Sequence, residues 1–212
     1  MARNYEQLTV LDDYLEAYAP NVTAFFETRD DYPNALLSPD GTVRTLPIGD
    51  ESAHNIIDSQ LWINQKWLDQ LNLQMPETPE ELKEVLIAFR DQDPNGNGIQ
   101  DEIPFTFEDA WGWGNTIENV FGAWGVLENG YHVFTEDGKV TFSAKEQGYY
   151  DALSYLHDLY QEELIDHDVF TLSEEQYSSR GAAGDVIGVF AGYGPQNGAG
   201  VQNSDDYRAL PI

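Results

Sequence analysis

The sequence predicts an α/β protein that is rich in helices and contains only short strands. Three observations predict this class. A capped amphipathic helix begins at Thr78, a buried strand covers 185–190, and residues 131–142 alternate around an Asp-Gly turn as a hairpin does. Together these patterns indicate mixed α and β structure in which helices predominate.

The amino-terminal third carries a helix signal and a turn signal. Apolar residues spaced three and four apart predict a first helix that ends at Pro20: Leu8, Leu11, Leu15 and Tyr18. Pro39-Asp-Gly41 predicts a turn, and residues 42–47 predict a short strand after it.

The middle of the chain predicts a strand and two helices. Residues 59–64 read as a strand, and a short helix through Trp67, Leu68 and Leu71 follows. The next helix starts with Thr78 as N-cap, Pro79 in the first turn and Glu81 completing a capping box. Its apolar face consists of Leu82, Val85, Leu86 and Phe89.

The carboxyl-terminal part adds a hairpin, a helix and a strand. The hairpin turns at Asp137-Gly138. A second capping box, Ser143 to Glu146, predicts a helix with one apolar side: Tyr149, Leu153, Leu156 and Tyr160. The buried strand at 185–190 then runs into a glycine-rich tract at 192–200.

Composition excludes several classes of function. The 212 residues include 38 acidic and 10 basic side chains, a formal charge of −28, which opposes nucleic acid and anionic membranes as partners. The absence of cysteine excludes disulfides, thiolate zinc sites and cysteine nucleophiles. No run of 18 apolar residues exists, and the first residues lack the apolar core of a signal peptide. We therefore expect any export signal to lie upstream.

The stretch Asp93-Pro-Asn-Gly-Asn-Gly-Ile-Gln-Asp-Glu102 predicts a structural calcium loop. Carboxylates and carboxamides alternate around glycines, which suits a cation that takes only oxygen ligands. Two registers fit, one beginning at Asp91 and one at Asp93. The alternative is an ordinary solvated Asn/Gly/Asp turn.

Motifs of common enzyme classes are missing. The chain has no G-x-S-x-G elbow, no H-E-x-x-H, no phosphate-binding loop and no complete dinucleotide fingerprint. The four histidines show no metal spacing. Paired acids such as Glu174-Glu175 are typical of a solvated surface, although a glycosidase pair remains an alternative. The sequence predicts no catalytic residues.

Aromatic residues supply candidates for ligand binding. Trp111 and Trp113 alternate with glycines just after the calcium loop, and Tyr193 follows the strand at 185–190. Aromatic faces stack on the apolar faces of sugar rings, whereas the alternative is that both tryptophans are core anchors. The remaining tryptophans lie in apolar patterns and are interpreted as core residues: Trp62, Trp67 and Trp124.

Several segments together resemble family 1 extracellular solute-binding proteins, the receptors of ABC importers for carbohydrates. These segments are 61–73, Pro76 to Leu82, and the loop from Asp93 to Pro104. The early Pro39-Asp-Gly-Thr-Val-Arg-Thr-Leu-Pro47 and the closing Ser204 to Pro211 are also similar to that family. The likeness is strongest to the branch with oligosaccharide and alginate receptors.

The resemblance implies a periplasmic-binding-protein-like fold of two lobes that close on a sugar. Residues 1–60 would be a remnant of the first lobe and the hinge approach, 61–190 the second lobe, and 191–212 a return towards the other lobe. Family members are about twice as long, so we expect an incomplete, middle segment with exposed apolar surface. The cleft aromatics would be Trp111, Trp113 and Tyr193.

The resemblance also implies the calcium ligands and the partners. The loop would follow the second register, with these ligands: Asp93, Asn95, Asn97, the Ile99 carbonyl, Asp101 and Glu102. The protein would be a monomer that binds an oligosaccharide and delivers it to an ABC permease, as an extracellular lipoprotein or periplasmic receptor. The alternatives are a fragment of a secreted glycoside hydrolase and a standalone calcium-dependent interaction module.

Overall fold

The structure is a computed structural model that describes residues 5–28, 31–46, 59–108, 117–128 and 131–212. Two compact units divide the chain, Met1–Asn55 and Ile56–Ile212. The predicted division at residues 60 and 190 into segments of two lobes stays a prediction.

The first unit consists of short helices. A 3-10 turn at Tyr5–Gln7 precedes α1 (Asp12–Tyr18), α2 (Pro20–Phe26) and α3 (Asp31–Leu36). The predicted first helix therefore starts later than Leu8 and ends just before Pro20. Pro20 also begins a further helix that was not predicted, because its fixed φ suits the first helical position.

The strand predicted over 42–47 is wrong where the chain is described. Residues 42–46 contribute a single bridge, between Leu37 and Val43, around the predicted turn. The Arg44 guanidinium instead donates to the Leu8 carbonyl oxygen at 2.5 Å and to Asp40 at 2.9 Å. Side-chain bonding within the turn thus replaces the pairing that a strand needs.

The second unit is built on a four-stranded mixed sheet. Its strands and helices, with a separate hairpin, are β1 (Gln60–Asn64), α4 (Gln65–Leu71), α5 (Pro79–Asp91), β2 (Ile103–Thr106), β3 (Val133–Glu136), β4 (Lys139–Phe142), α6 (Gln147–Gln161), α7 (Glu174–Ala183), β5 (Ile187–Gly192), α8 (Pro195–Ala199) and β6 (Tyr207–Ala209). The order in the sheet is β2-β5-β1-β6, in which β2 and β5 are parallel and β1 is antiparallel to both β5 and β6.

The prediction for β1, α4 and α5 is confirmed. Asn64 ends the strand and caps α4, because its Oδ1 accepts the Trp67 N–H at 3.2 Å. Thr78 caps α5 through the Glu81 N–H at 3.2 Å. A capping box predicts that the Glu81 carboxylate accepts the N–H of Thr78. Instead it accepts the N–H of Glu77, the residue before Thr78, at 2.8 Å.

The predicted hairpin is present as β3 and β4, while the helix after it begins later than predicted. Asp137 and Gly138 both have positive φ, as a two-residue type I′ turn requires. Ser143 does not cap α6, since its hydroxyl donates to the buried carboxylate of Glu128 at 2.5 Å. The buried side of α6 is Ala152, Leu156 and Leu159, so Leu153, at 46% exposure, lies off the core face.

The core of the second unit packs α4, α5 and α6 around the sheet. Trp67 is fully buried with its ring edge-on to Phe89 at 5.1 Å. Trp62 and Trp124, also predicted as core residues, are half-buried at its margin. In the described part of the chain no helix combines the length and apolar character needed to cross a membrane.

Candidate functional site

The predicted calcium loop connects α5 to β2 and therefore lies at the amino ends of two parallel strands. Asp93 begins the loop in a left-handed conformation with φ of 48°, and Gly96 and Gly98 have φ of 72° and 74°. Asp91 belongs to α5, where the Arg90 guanidinium donates to its carboxylate at 2.7 Å. The Arg90 pairing also holds the pKa of Asp91 below its usual value.

Side chains inside the loop turn towards one another. The Asp93 carboxylate accepts the N–H groups of Asn97 at 3.1 Å and Gly98 at 3.0 Å. Asn97 Nδ2 donates to Asp101 Oδ1 at 3.0 Å, and Asn95 Nδ2 donates to the same oxygen at 3.2 Å. The Asn97 Oδ1 accepts the N–H of Ile99 at 2.6 Å. The loop is thus a compact turn with oxygens on its inner side.

Glu102, the last predicted ligand, has a carboxylate without a hydrogen-bond partner. Both of its oxygens are buried and make no bond to the protein. Burial raises the pKa of Glu102, and the nearby Asp101 and Asp93 carboxylates add to the rise. Among the described residues no three Asp, Glu or His side chains converge as a metal cage. The donor set nevertheless fits a hard cation, because it offers carboxylate and carboxamide oxygens, and a cation would stabilise the ionised form of the buried Glu102 carboxylate.

Of the second predicted site, the structure describes Tyr193, which lies at the carboxyl ends of β2 and β5, away from the predicted calcium loop. Tyr193 directly follows β5 and is 40% exposed. Trp111 and Trp113 follow β2 in the chain but lie outside the described residues. Because β2 and β5 are parallel, their carboxyl ends lie on the same side of the sheet, which we call the carboxyl edge. Open α/β sheets bind ligands at this position. The topology therefore brings Tyr193 near the start of the segment that carries both tryptophans.

Polar groups at this edge were missed by the sequence analysis. Glu108 follows β2 and is buried at 1% exposure, and Ser59 precedes β1, whose amino end lies beside the carboxyl end of β5. The Asn119 side-chain amide donates to the Ser59 hydroxyl. Burial raises the pKa of Tyr177, and the Glu108 carboxylate adds to the rise. The sequence did contain a signal for Glu108, namely an acidic residue shortly after the mostly apolar residues of β2.

A third cluster, formed by Glu128, His132 and Ser143, resembles a catalytic triad only in composition. The Glu128 side chain is 1% exposed and lies 3.0 Å from His132 Nδ1. It also accepts the Ser143 hydroxyl at 2.5 Å. Serine and histidine thus share one carboxylate, so the serine proton does not point to a histidine base. We interpret the cluster as structural: it fixes the two ends of the β3–β4 hairpin and does not activate a nucleophile.

Comparison with known proteins reveals curated relatives. The chain is 34% identical over 209 residues to the fructooligosaccharide ABC transporter substrate-binding protein FusA of Streptococcus pneumoniae serotype 4. This match covers 95% of the chain and 38% of FusA. Lipoprotein LipO of Bacillus subtilis is 34% identical over 139 residues, covering 63% of the chain and 27% of LipO. No protein-family model matches the chain.

Solved structures share the fold. FusA in complex with kestose superposes with a TM-score of 0.80 at 32% identity, covering 97% of this chain and 42% of FusA. An EF-hand mutant of FusA with fructo-nystose also gives 0.80 at 31% identity, with the same coverage of both chains. A solute-binding protein for HMO from Bifidobacterium longum infantis gives 0.80 at 26% identity, covering 100% of this chain and 45% of its own. These neighbours are two-lobe solute-binding proteins, and the predicted fold class is confirmed.

Proposed function

This chain is homologous to the substrate-binding proteins of sugar ABC transporters, and we propose that its protein binds an oligosaccharide and delivers it to an ABC importer. The observation that carries this proposal is the match to FusA across 95% of the chain. The chain spans less than half the length of these relatives, so the proposal concerns the whole protein. Binding and delivery require no chemical step, and we propose no enzyme activity.

The ligand site is proposed at the carboxyl edge of the sheet in the second unit. Tyr193 supports it as an exposed aromatic directly after β5. Trp111 and Trp113 are proposed as further stacking residues, because the chain that follows β2 starts at the same edge. Ser59 and Glu108 lie at the same end of the strands but are buried, so they would support the site from beneath and not contact the sugar directly. Ring stacking beside a few hydrogen-bonding groups is the usual composition of a small-molecule site.

Calcium is proposed as a structural ion in the loop between α5 and β2. The ligands would be the six residues of the second register: Asp93, Asn95, Asn97, the Ile99 carbonyl, Asp101 and Glu102. This register is supported by Asp91, which lies in α5 and pairs with Arg90. The unbonded oxygens of Glu102 also favour a cation there. The name of the FusA EF-hand mutant points to such a loop in that relative. Bound calcium would supply positive charge to the loop and no catalysis.

The remaining proposals concern place and partners. As the relatives include a lipoprotein and transporter components, we propose an extracellular or periplasmic location and a permease as the protein partner. We further propose that the receptor is a monomer. The formal charge of −28 would make two copies of the chain repel each other, which opposes self-association.

The test is a binding measurement on the whole protein against a panel of oligosaccharides, by titration calorimetry. We expect saturable binding of at least one member, with a change in tryptophan fluorescence if Trp111 and Trp113 line the site. Turnover of a chromogenic glycoside, abolished by substituting one carboxylate, would support the hydrolase alternative instead. Absence of binding across neutral and acidic sugars would contradict the proposed function.

A further inference from the structure

The loop 166–172 lies at the same edge of the sheet as the proposed ligand site. Ile165 makes a parallel bridge to Phe105 of β2, and the Asp166 N–H donates to the Phe105 carbonyl oxygen at 2.9 Å. The Thr106 hydroxyl then donates to Asp166 Oδ2 at 3.3 Å. The chain thus runs beside β2 in the same direction and leaves at its carboxyl end. It forms a third parallel neighbour after β5 and β2.

Ion pairs and buried side chains anchor this loop. Arg180 of α7 donates to Asp166 and, at 2.6 Å, to Asp168. The N–H groups of Thr171 and Leu172 donate to the Asp168 carbonyl oxygen at 2.8 and 2.9 Å. Val169 and Leu172 are buried at 1% and 6% exposure. A ligand would therefore meet a loop that needs little further ordering.

Between these two anchors Phe170 is 66% exposed. Its ring is edge-on to Phe107 at 6.2 Å, and it lies 5.9 Å from the ring of Tyr160. Phe107 is the residue that continues β2 towards the proposed site. Phe170 thus presents an exposed ring on an anchored loop, at the end of the parallel strands where the ligand site is proposed. An exposed ring in this position could stack on a bound sugar.

We propose that Phe170 stacks on a distal ring of a neutral oligosaccharide, as an extension of the ligand site proposed above, on which this inference rests. A sugar ring has an apolar face bordered by hydroxyls. Phe170 would supply the apolar contact, and Asp168, which is 61% exposed at its side chain, would accept from hydroxyls. The exposed Asp168 carboxylate beside Phe170 disfavours an anionic sugar ring at this position.

The distance between strands sets the length of ligand that Phe170 can affect. Ile165 and β5 lie on either side of β2, so they are separated by two strand spacings, roughly 10 Å. A ligand that contacts Tyr193 reaches Phe170 only if it has further rings. Phe170 should therefore affect the binding of long oligosaccharides more than that of short ones.

The test compares the affinities of the whole protein for kestose and for longer fructooligosaccharides, with Phe170→Ala, Phe170→Tyr and Tyr150→Ala variants. Tyr150 is a matched control, since it is also 66% exposed but lies on α6. We expect Phe170→Ala to weaken binding of the longer sugars about fivefold and leave kestose unchanged. Phe170→Tyr should bind like the wild type, and so should Tyr150→Ala. The melting temperatures of all variants should agree.

Several results would overturn the subsite while leaving the proposed function intact. One is an equal loss for short and long sugars, and another is no loss for any sugar. If affinity is unchanged but transport is reduced, Phe170 would instead be assigned to contact with the importer. If the wild-type protein binds no neutral sugar but binds an acidic one, the subsite is contradicted and the receptor function stands. If it binds no sugar at all, both proposals fail.

Discussion

The side-chain amide of Asn95 donates a hydrogen bond to the backbone carbonyl oxygen of Asp185 at 3.0 Å. This bond joins the predicted calcium loop to the start of β5. The Asp185 carboxylate accepts in turn from Asn64 at 2.9 Å and from Lys66 at 2.7 Å. The loop is therefore anchored at the amino ends of the parallel strands β2 and β5. The proposed sugar site lies at the carboxyl ends of the same two strands.

Calcium removal should destabilise the protein through Glu102. With calcium at a hundredfold excess over its dissociation constant, binding contributes about 2.7 kcal/mol, so EDTA should lower the melting temperature clearly. Glu102→Gln should remove most of this response, because it removes a charged ligand. In EDTA the same variant should be more stable than the wild type, since the wild type buries an unbonded carboxylate. Glu84→Gln, on exposed α5 surface, is the control.

Calorimetric melting scans with and without calcium would measure both effects. A wild-type melting temperature that is the same in calcium and in EDTA would contradict the calcium proposal. A variant that is less stable than the wild type in EDTA would contradict the role of charge burial at Glu102.

Asn64 should be the most sensitive polar position in the second unit. It is fully buried, caps α4 and donates to Asp185 and to the Ile187 carbonyl oxygen. Asn64→Ala should cost about 2–3 kcal/mol, because it removes the cap of α4 together with the side-chain bonds to Asp185 and Ile187. Thr78→Ala at the exposed cap of α5 should cost about 1 kcal/mol. Urea unfolding measures both values, and equal losses would show that burial adds nothing at Asn64.

A methyl group at Gly181 should disrupt the packing of α7 on α8. A Cβ at this position would lie 1.5 Å from the Gly198 carbonyl oxygen, so the two helix backbones would have to separate. We expect Gly181→Ala to destabilise by about 3 kcal/mol or more. A Cβ at Gly122 meets nothing within 4 Å, so Gly122→Ala is the matched control. A Gly181→Ala protein with an unchanged urea midpoint would show that α7 and α8 do not pack so closely.

Tyr193→Ala should reduce sugar affinity without reducing stability. The ring is 40% exposed after β5, and loss of one stacking contact should weaken binding about tenfold. Tyr131→Ala is the control, because Tyr131 is 84% exposed next to the β3–β4 hairpin. Titration calorimetry on the whole protein measures the affinities. Equal affinities for the wild type and Tyr193→Ala would exclude Tyr193 from the site.

Local signals in the sequence were reliable where neighbours in the chain decide the structure. The N-caps Asn64 and Thr78 and the turn at Asp137-Gly138 depend on bonds within a few residues, and the chain forms all of them. Of the two caps, only that of α5 was predicted at the level of its residues, as was the turn at Asp137-Gly138. The second capping box failed for a non-local reason. Its serine is bonded to Glu128, which lies 15 residues earlier in the chain.

The sequence by itself determined the α/β class, the oxygen-rich loop after α5 and the resemblance to sugar receptors. All three depend on residue types and on the spacing of residues that are close together in the chain. The tertiary structure alone decided that this loop and Tyr193 lie at opposite ends of β2 and β5. It alone decided that Phe170, Glu108 and Ser59 join the edge with Tyr193. These positions follow from strand pairing, parallel for β2 and antiparallel for β1 with β5, between residues 60 to 132 positions apart, and no local pattern encodes which strands will be neighbours.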